Sequence, residues 1–402
     1  MRGINQEKLI LEKEVFERAN IEKRMTDGGF NSIAKFELFI WDLEMFLQLQ
    51  KKLGSKILLK GGAATQFYIP ITAQRTSIDI DMICTATREE VHKAISEIEA
   101  ELGGEGEYCK YQVHKPKNPK LGLGALETYY EKVPSVCSEK ELYTSQGKQE
   151  VKIEFLFSDH KYPINRIKQP ELFALETNKE FNVLALEYLF ADKLTTLGPN
   201  TIGVSDERAD VQFKQIYDVI TLFESNIDQI FSEKEKVKGN YEKAARIECQ
   251  IHNISYDPEQ LFTDIKLLIN RVKNIEGDNA FIKQANDFQS LYLRSIVNRD
   301  KAQWAIVGYK LELLIEYIFY GNTKILCFRD IEELTDKLKF ENIYGPERGD
   351  LIKKARAILE SKFKRIQGLS ADLFRKRLDR IIWELSAFVL FEEIENSVRE
   401  IS

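Results

Sequence analysis

Cysteine and histidine are scarce in this chain, and their placement excludes several chemistries. The five cysteines (84, 109, 137, 249 and 327) are odd in number, scattered, and nowhere spaced C-x-x-C. They read as reduced thiols rather than a disulfide frame or zinc site. The four histidines (92, 114, 160 and 252) are too far apart in sequence to share a ligand motif. No apolar run approaches the roughly 18 residues needed to cross a membrane, and the charged start, MRGINQEKLILEKE, is unlike a signal peptide. A cytoplasmic location without membrane contact is the resulting expectation. An excess of positive charge is missing too. Over 402 residues the net charge is −6, so any nucleic-acid contact has to come from a local patch. Length suggests two or three domains.

What is present is concentrated in residues 56–84. The apolar run Ile57–Leu59 reads as a strand, followed by Lys60, Gly61 and Gly62 and then by a short helical stretch closed by Pro70. Paired glycines between strand and helix allow a sharp turn with outward backbone N–H groups, suited to phosphate. Residues 77–82, SIDIDM, alternate polar and apolar. Period two places Ile78, Ile80 and Met82 on one face of a strand and Asp79 and Asp81 on the other. Two carboxylates sharing a face beside a phosphate-binding turn make a hard-oxygen site for Mg²⁺ and a nucleoside triphosphate (NTP).

The set Lys60-Gly61-Gly62-Ala63-Ala64 with Arg75-x-Ser77-x-Asp79-Ile80-Asp81 resembles the first motif of the AbiEii/AbiGii-type nucleotidyltransferase toxins. These belong to the DNA polymerase β-like superfamily. The spacing from Gly62 to Asp79 is a few residues wider than in that family, which places an insertion around Ile69–Gln74. The resemblance spans about residues 34–222 and implies an α+β fold. A polymerase β-like domain, a mixed sheet flanked by helices, would occupy 34–225. A charged helix (1–33) would precede it and an all-helical domain (226–402) follow it.

Several site residues follow from the resemblance. Asp79 and Asp81 would hold two Mg²⁺ ions, with Glu154, on the strand VKIEFLF, as the third carboxylate. Lys60, Gly61, Gly62, Arg75 and Ser77 would bind the nucleotide. Residues 183–197, VLALEYLFADKLTTL, read as one helix and are similar to the family's A-[DE]-K-L-x-x-L motif, so Lys193 would face the triphosphate. In the following helix the family reads [RK]-D-x-x-D, whereas this chain has Lys214-Gln215-Ile216-Tyr217-Asp218. Asp218 keeps its place, Arg208 is an upstream basic candidate, and the first acid has become Gln215. A role needing a carboxylate at 215 would pass to Asp210 or Asp218.

Elsewhere the signals are broader. Residues 5–25 read as a charged, solvated helix, and 34–53 as an apolar helix stopped by Gly54. Thr87 caps a helix running to Gly103-Gly104, and the loop 114–120 is basic. Residues 232–243, SEKEKVKGNYEK, look like a linker or an exposed helix start. Amphipathic helices then follow over 258–275, 279–298, 300–320, 329–339, 347–367 and 370–399. Residues 353–380 carry ten basic and three acidic side chains. Lys353, Lys354, Lys364, Arg365, Arg375, Lys376 and Arg377 are the RNA-binding candidates there.

The implied activity is transfer of a nucleoside monophosphate to an acceptor hydroxyl, the 3′ end of tRNA by resemblance, in a toxin–antitoxin or phage-defence (abortive infection) setting with a cognate antitoxin. Two alternatives stay open. One is a non-catalytic nucleotide- or RNA-binding protein of the same fold, motivated by Gln215. The other is a nucleotidyltransferase acting on a small molecule such as an antibiotic.

Overall fold

The computed structural model describes residues 3–103, 107–114, 126–144, 150–338 and 345–401. The chain divides into two compact units. One comprises Met1–Asp264 with Lys283–Asn298, and the other Ile265–Ile282 with Arg299–Ser402.

The first unit is built on a mixed sheet, seven-stranded among the described residues. Its strands are β1 (Ile57–Lys60), β2 (Asp79–Cys84), β3 (Tyr111–Val113), β4 (Leu126–Lys132), β5 (Glu150–Phe157), β6 (Ile164–Lys168) and β7 (Glu180–Leu184), in the order β3-β4-β5-β2-β1-β7-β6. β2 is antiparallel to β1 and parallel to β5, while β1 is parallel to β7. Ile80, Met82, Ile153 and Phe155 turn to the buried face, as their alternation with polar residues requires.

Its helices are α1 (Arg18–Gly28), α2 (Ile33–Leu53), α3 (Gly61–Thr65), α4 (Arg88–Leu102), α5 (Glu139–Thr144), α6 (Leu186–Thr195), α7 (Ala209–Ser225), α8 (Ile227–Ser232) and α9 (Lys234–His252). The apolar helix read from 34–53 is α2, which Ser32 caps and which contacts β1, β2, β5 and β7. Gly54, at φ +61°, ends it. α4 has the expected cap, a reciprocal pair of bonds between Thr87 and Glu90.

Two readings of this unit need correction. The stretch 5–25 is not one solvated helix but two short turns leading into α1. Leu11, Val15, Phe16 and Ile21 are buried, and the backbone N–H groups of Ile10 and Leu11 donate to the Glu44 carboxylate at 3.0 and 2.9 Å. Residues 183–184 close strand β7, and helix α6 starts only at Leu186. Of the two readings of 232–243, a linker or an exposed helix start, the helix start is the one found: α9 begins at Lys234, and its residues Val237, Tyr241, Ala245 and Cys249 form a buried stripe at helical spacing that accompanies its packing against α6. The segment 69–74, before Arg75, is tied down by Gln74. Its buried amide donates to the carbonyls of Gln66 and Glu171, at 2.8 and 2.7 Å.

Helices α10 (Pro258–Lys273) and α11 (Asn279–Tyr292) contribute to both units. The second unit continues with α12 (Lys301–Tyr320), α13 (Phe328–Lys337), α14 (Gly345–Lys362), α15 (Ala371–Lys376), α16 (Leu378–Phe388) and α17 (Phe391–Arg399). The single helix read over 370–399 is thus three. Non-helical backbone at Arg377, and extended backbone at Val389 and Leu390, break it. Trp304, Leu314, Ile381 and Leu385 are among the buried side chains of the second unit. No helix among the described residues is long and apolar enough to cross a membrane.

Candidate active site

The strand register brings the acidic residues together. Asp81 lies opposite Glu154, and Asp79 opposite Lys152, on the parallel pair β2–β5, while Lys60 of β1 lies opposite Asp81 on the other side. All five therefore share one face of the sheet. Gly61 follows at φ +69°, and a Cβ there would stand 2.1 Å from Asp81 Oδ2. A Cβ on Gly62 would stand 2.8 Å from Arg75 Nη2 and 3.0 Å from Ser77 Oγ. The glycine pair is thus needed twice, once for the left-handed backbone and Asp81, once for Arg75 and Ser77.

That close approach supports a direct expectation. Gly61→Ala should reduce any activity of this site by at least about a hundredfold, because the new methyl must push Asp81 aside as well as strain the backbone. Its melting temperature should fall too. A Gly61→Ala protein with unchanged turnover would show that Asp81 is not placed by this contact.

The electrostatics are those of crowded like charges. Burial, and then the neighbouring Glu154, push the Asp81 carboxyl up to about 6, with Lys152 acting in the opposite sense. Lys152 is ion-paired to Glu154. Against the cost of its own burial, Glu154, Asp79 and Asp81 hold its ammonium above the usual lysine range. Lys60 is bound to Asp192 of α6 at 2.8 Å. Against its burial, Asp192, Glu248 and Asp81 hold it protonated. Glu248, contributed by α9, is pushed up to about 7 by burial foremost. On α2, Asp42 is buried with neither carboxylate oxygen hydrogen-bonded. Burial, then Asp79 and Asp81, raise it well above the carboxylate range.

The donor set suits a hard divalent cation, since oxygen ligands carrying mutual repulsion sit on one face. Among the described residues, no group of three His, Cys, Asp or Glu side chains is gathered as a metal cage. Instead the Lys152 ammonium supplies positive charge to the acids, and Glu154, expected as third ligand, is committed to it. Mg²⁺ does not require such a cage. It usually binds through one or two carboxylates, retained waters and substrate phosphates, which Asp79 and Asp81 could provide.

The other predicted residues form a second, buried cluster. Arg75 grips Asp218 with two hydrogen bonds, Nε to Oδ1 at 2.7 Å and Nη2 to Oδ2 at 2.6 Å. Lys193 reaches the same carboxylate at 2.8 Å and donates to Gln215 Oε1 at 2.9 Å. Despite burial, Arg75 and then Lys193 hold Asp218 below the usual carboxylate range. Lys193 is therefore enclosed rather than displayed, and Asp218 is occupied by two cations. The basic partner of Asp218 is Arg75, not Arg208, which is exposed before α7. The Asp210 side chain lies outside the described residues, as does the basic loop beyond His114.

Sequence reading missed Lys152, Asp192, Glu248 and Asp42. Period two could have flagged Lys152, which shares a strand face with Glu154, and Asp192 is the acid of the A-[DE]-K motif. Nothing local marks Glu248 or Asp42.

In the second unit, most RNA-binding candidates are already paired with acids. Lys353 meets Asp350 at 3.3 Å, Arg365 meets Glu384 at 3.3 Å, and Arg375 and Lys376 meet Asp372 at 2.5 and 3.0 Å. Arg377 bridges Asp300 and Asp379 at 2.5 and 2.8 Å. Lys354 donates to the Ile401 carbonyl at 3.1 Å, and Lys364 is exposed. The positive field of this region is weaker than its sequence suggests.

A family model, "Nucleotidyl transferase AbiEii toxin, Type IV TA system", matches residues 46–292. No curated protein matches. Similar solved structures include MenT4, a nucleotidyltransferase toxin from Mycobacterium tuberculosis H37Rv. It is 12% identical, with 72% of this chain and 93% of that one covered and a TM-score of 0.42. JHP933 from Helicobacter pylori is 14% identical, with 66% of this chain and 97% of that one covered and a TM-score of 0.27.

Proposed function

The chain belongs to the AbiEii family of nucleotidyltransferase toxins of type IV toxin–antitoxin systems, and on that premise we propose that it transfers a nucleoside monophosphate from an NTP, with Mg²⁺, to the 3′ end of tRNA. The observation that carries the proposal is the contact of Asp81 with the Gly61 turn, which supports a reading in which the acids stand beside a turn suited to phosphates. The acceptor hydroxyl oxygen bonds to the α-phosphorus, the bond to the β-phosphate oxygen breaks, and pyrophosphate leaves with that electron pair. Asp79 and Asp81 would hold Mg²⁺, which supplies positive charge for the acceptor and leaving oxygens. Ser77 and the Gly61-Gly62 turn orient the triphosphate. Lys60 and Lys152 surround it with positive charge. Glu248, near neutrality in its proton affinity, is suited to take the acceptor's proton.

The family implies an antitoxin for this toxin. The exposed Lys364 and the charged helices α14 and α15 are the candidates for the RNA backbone. The non-catalytic reading keeps one specific support, the glutamine at 215.

The test uses purified protein, Mg²⁺, each of the four labelled NTPs and total tRNA. Label should pass to tRNA with release of pyrophosphate, and chelation by EDTA should stop it. If no NTP labels any cellular RNA or protein, the transferase proposal is wrong. NTP binding without pyrophosphate release would favour the non-catalytic reading.

A further inference from the structure

The cluster behind the glycine turn is unbalanced in charge. Arg75 and Lys193 bring two positive charges, and among the described residues Asp218 is the one carboxylate bonded to either. The side chains of Arg75, Lys193 and Asp218 are 3%, 4% and 0% exposed. The fourth partner, Gln215, accepts from Lys193 through a neutral oxygen. One positive charge is therefore left over in a place where water cannot solvate it, which is unfavourable until an anion arrives. Its position is specific. The Arg75 guanidinium lies against Gly62, with the Ser77 hydroxyl beside it, so the surplus sits directly behind the turn.

We infer that Gln215 sets how tightly this site holds the phosphate tail of its nucleotide, by leaving the Arg75–Lys193–Asp218 cluster one positive charge in excess. The inference rests on the nucleotidyl-transfer reading and concerns the same site. A carboxylate at 215 would receive the Lys193 ammonium where the amide oxygen does now, and would close the balance. The triphosphate would then meet a neutral cluster. On this account Gln215 is a positioning residue acting through Lys193 and Arg75, and its neutrality is what gives it a role.

Calorimetric titration with the α,β-methylene analogues of ATP, GTP, CTP and UTP, and with the four nucleosides, separates the possibilities. Gln215→Glu is nearly isosteric and keeps a partner for Lys193. It should weaken the best-bound triphosphate by about tenfold, the scale of one added charge at intermediate dielectric. Nucleoside binding should not change. Gln215→Leu removes the hydrogen bond but keeps the charge balance, and should stay within about twofold of wild type. Equal triphosphate affinity for wild type and Gln215→Glu overturns the inference, and so does equal weakening by both variants. Failure of the wild type itself to bind any triphosphate overturns the nucleotide reading and this inference with it.

Discussion

Asp81→Asn is expected to lose nucleotidyl transfer by at least about a thousandfold and, at the same time, to melt at a higher temperature than wild type at pH 7.5. The two effects have one cause. Asp81 is the acid in contact with the Gly61 turn, and its ionised form is held against burial and against Glu154. On the proposed reading, removing the charge removes a magnesium ligand, and each anionic oxygen at a phosphoryl-transfer centre is worth several kcal/mol of transition-state stabilisation, roughly a hundredfold or more in rate. The native fold, however, prefers the neutral carboxyl. A carboxyl raised to about 6 binds its proton more tightly in the folded than in the unfolded chain, where its value is about 3.9. Stability linked to it therefore grows as pH falls through about 6, and at pH 7.5 the charge costs about 1–3 kcal/mol. Asparagine relieves that cost, so the advantage of the variant should shrink between pH 7.5 and 5 and be nearly gone at pH 4. A variant that is inactive but more stable cannot be dismissed as misfolded. Expression of wild type and Asp81→Asn side by side should give growth arrest only with the former. Transfer within tenfold of wild type would remove Asp81 from the chemistry.

Some of this site could be read from local pattern and some could not, for physical reasons. Ile80 and Met82 alternate with Asp79 and Asp81, and one buried face is enough to fix the strand and its polar side. Glu154 was legible for the same reason. Their pairing in register adds what no local pattern holds, namely that Lys152 falls opposite Asp79 and shares charge with all three acids. β7 was swallowed by the apolar run that continues into α6, because a buried parallel strand and the start of a buried helix look alike over five residues. Of α9 only an exposed start is legible, because lysines and glutamates dominate its sequence. Only four residues of its stripe are apolar or small, and they become recognisable once α6 is there to cover them. The pairing of Arg75 with Asp218 spans 143 residues, beyond the reach of any spacing rule. Arg208 looked equally suitable in one dimension.

That pairing supports the second large effect. Asp218→Ala should destabilise the first unit by about 3–5 kcal/mol, because it leaves Arg75 and Lys193 as buried cations without an anion. Few single substitutions reach that size, and those that do include uncompensated buried charge. The pH dependence supplies an independent signature. Asp218 is held below the ordinary carboxylate range by Arg75 and Lys193 despite its burial. An acid whose folded value is depressed contributes stability that is fully present above its unfolded value, about 3.9, and that is lost as pH falls through the folded one. Wild type should therefore lose stability below about pH 4 more steeply than Asp218→Ala, which has no such proton to take up. Combining Asp218→Ala with Arg75→Met removes one of the stranded cations. The double variant should recover part of the loss, since residues bonded to each other are not additive. Urea unfolding of the full chain, followed by tryptophan fluorescence at pH 7.5 and below pH 4, is measured for wild type, Asp218→Ala, Arg75→Met and the double variant. A loss under about 1 kcal/mol for Asp218→Ala, or a double variant worse than the sum of its parts, would mean that the buried ion cluster does not hold this fold together.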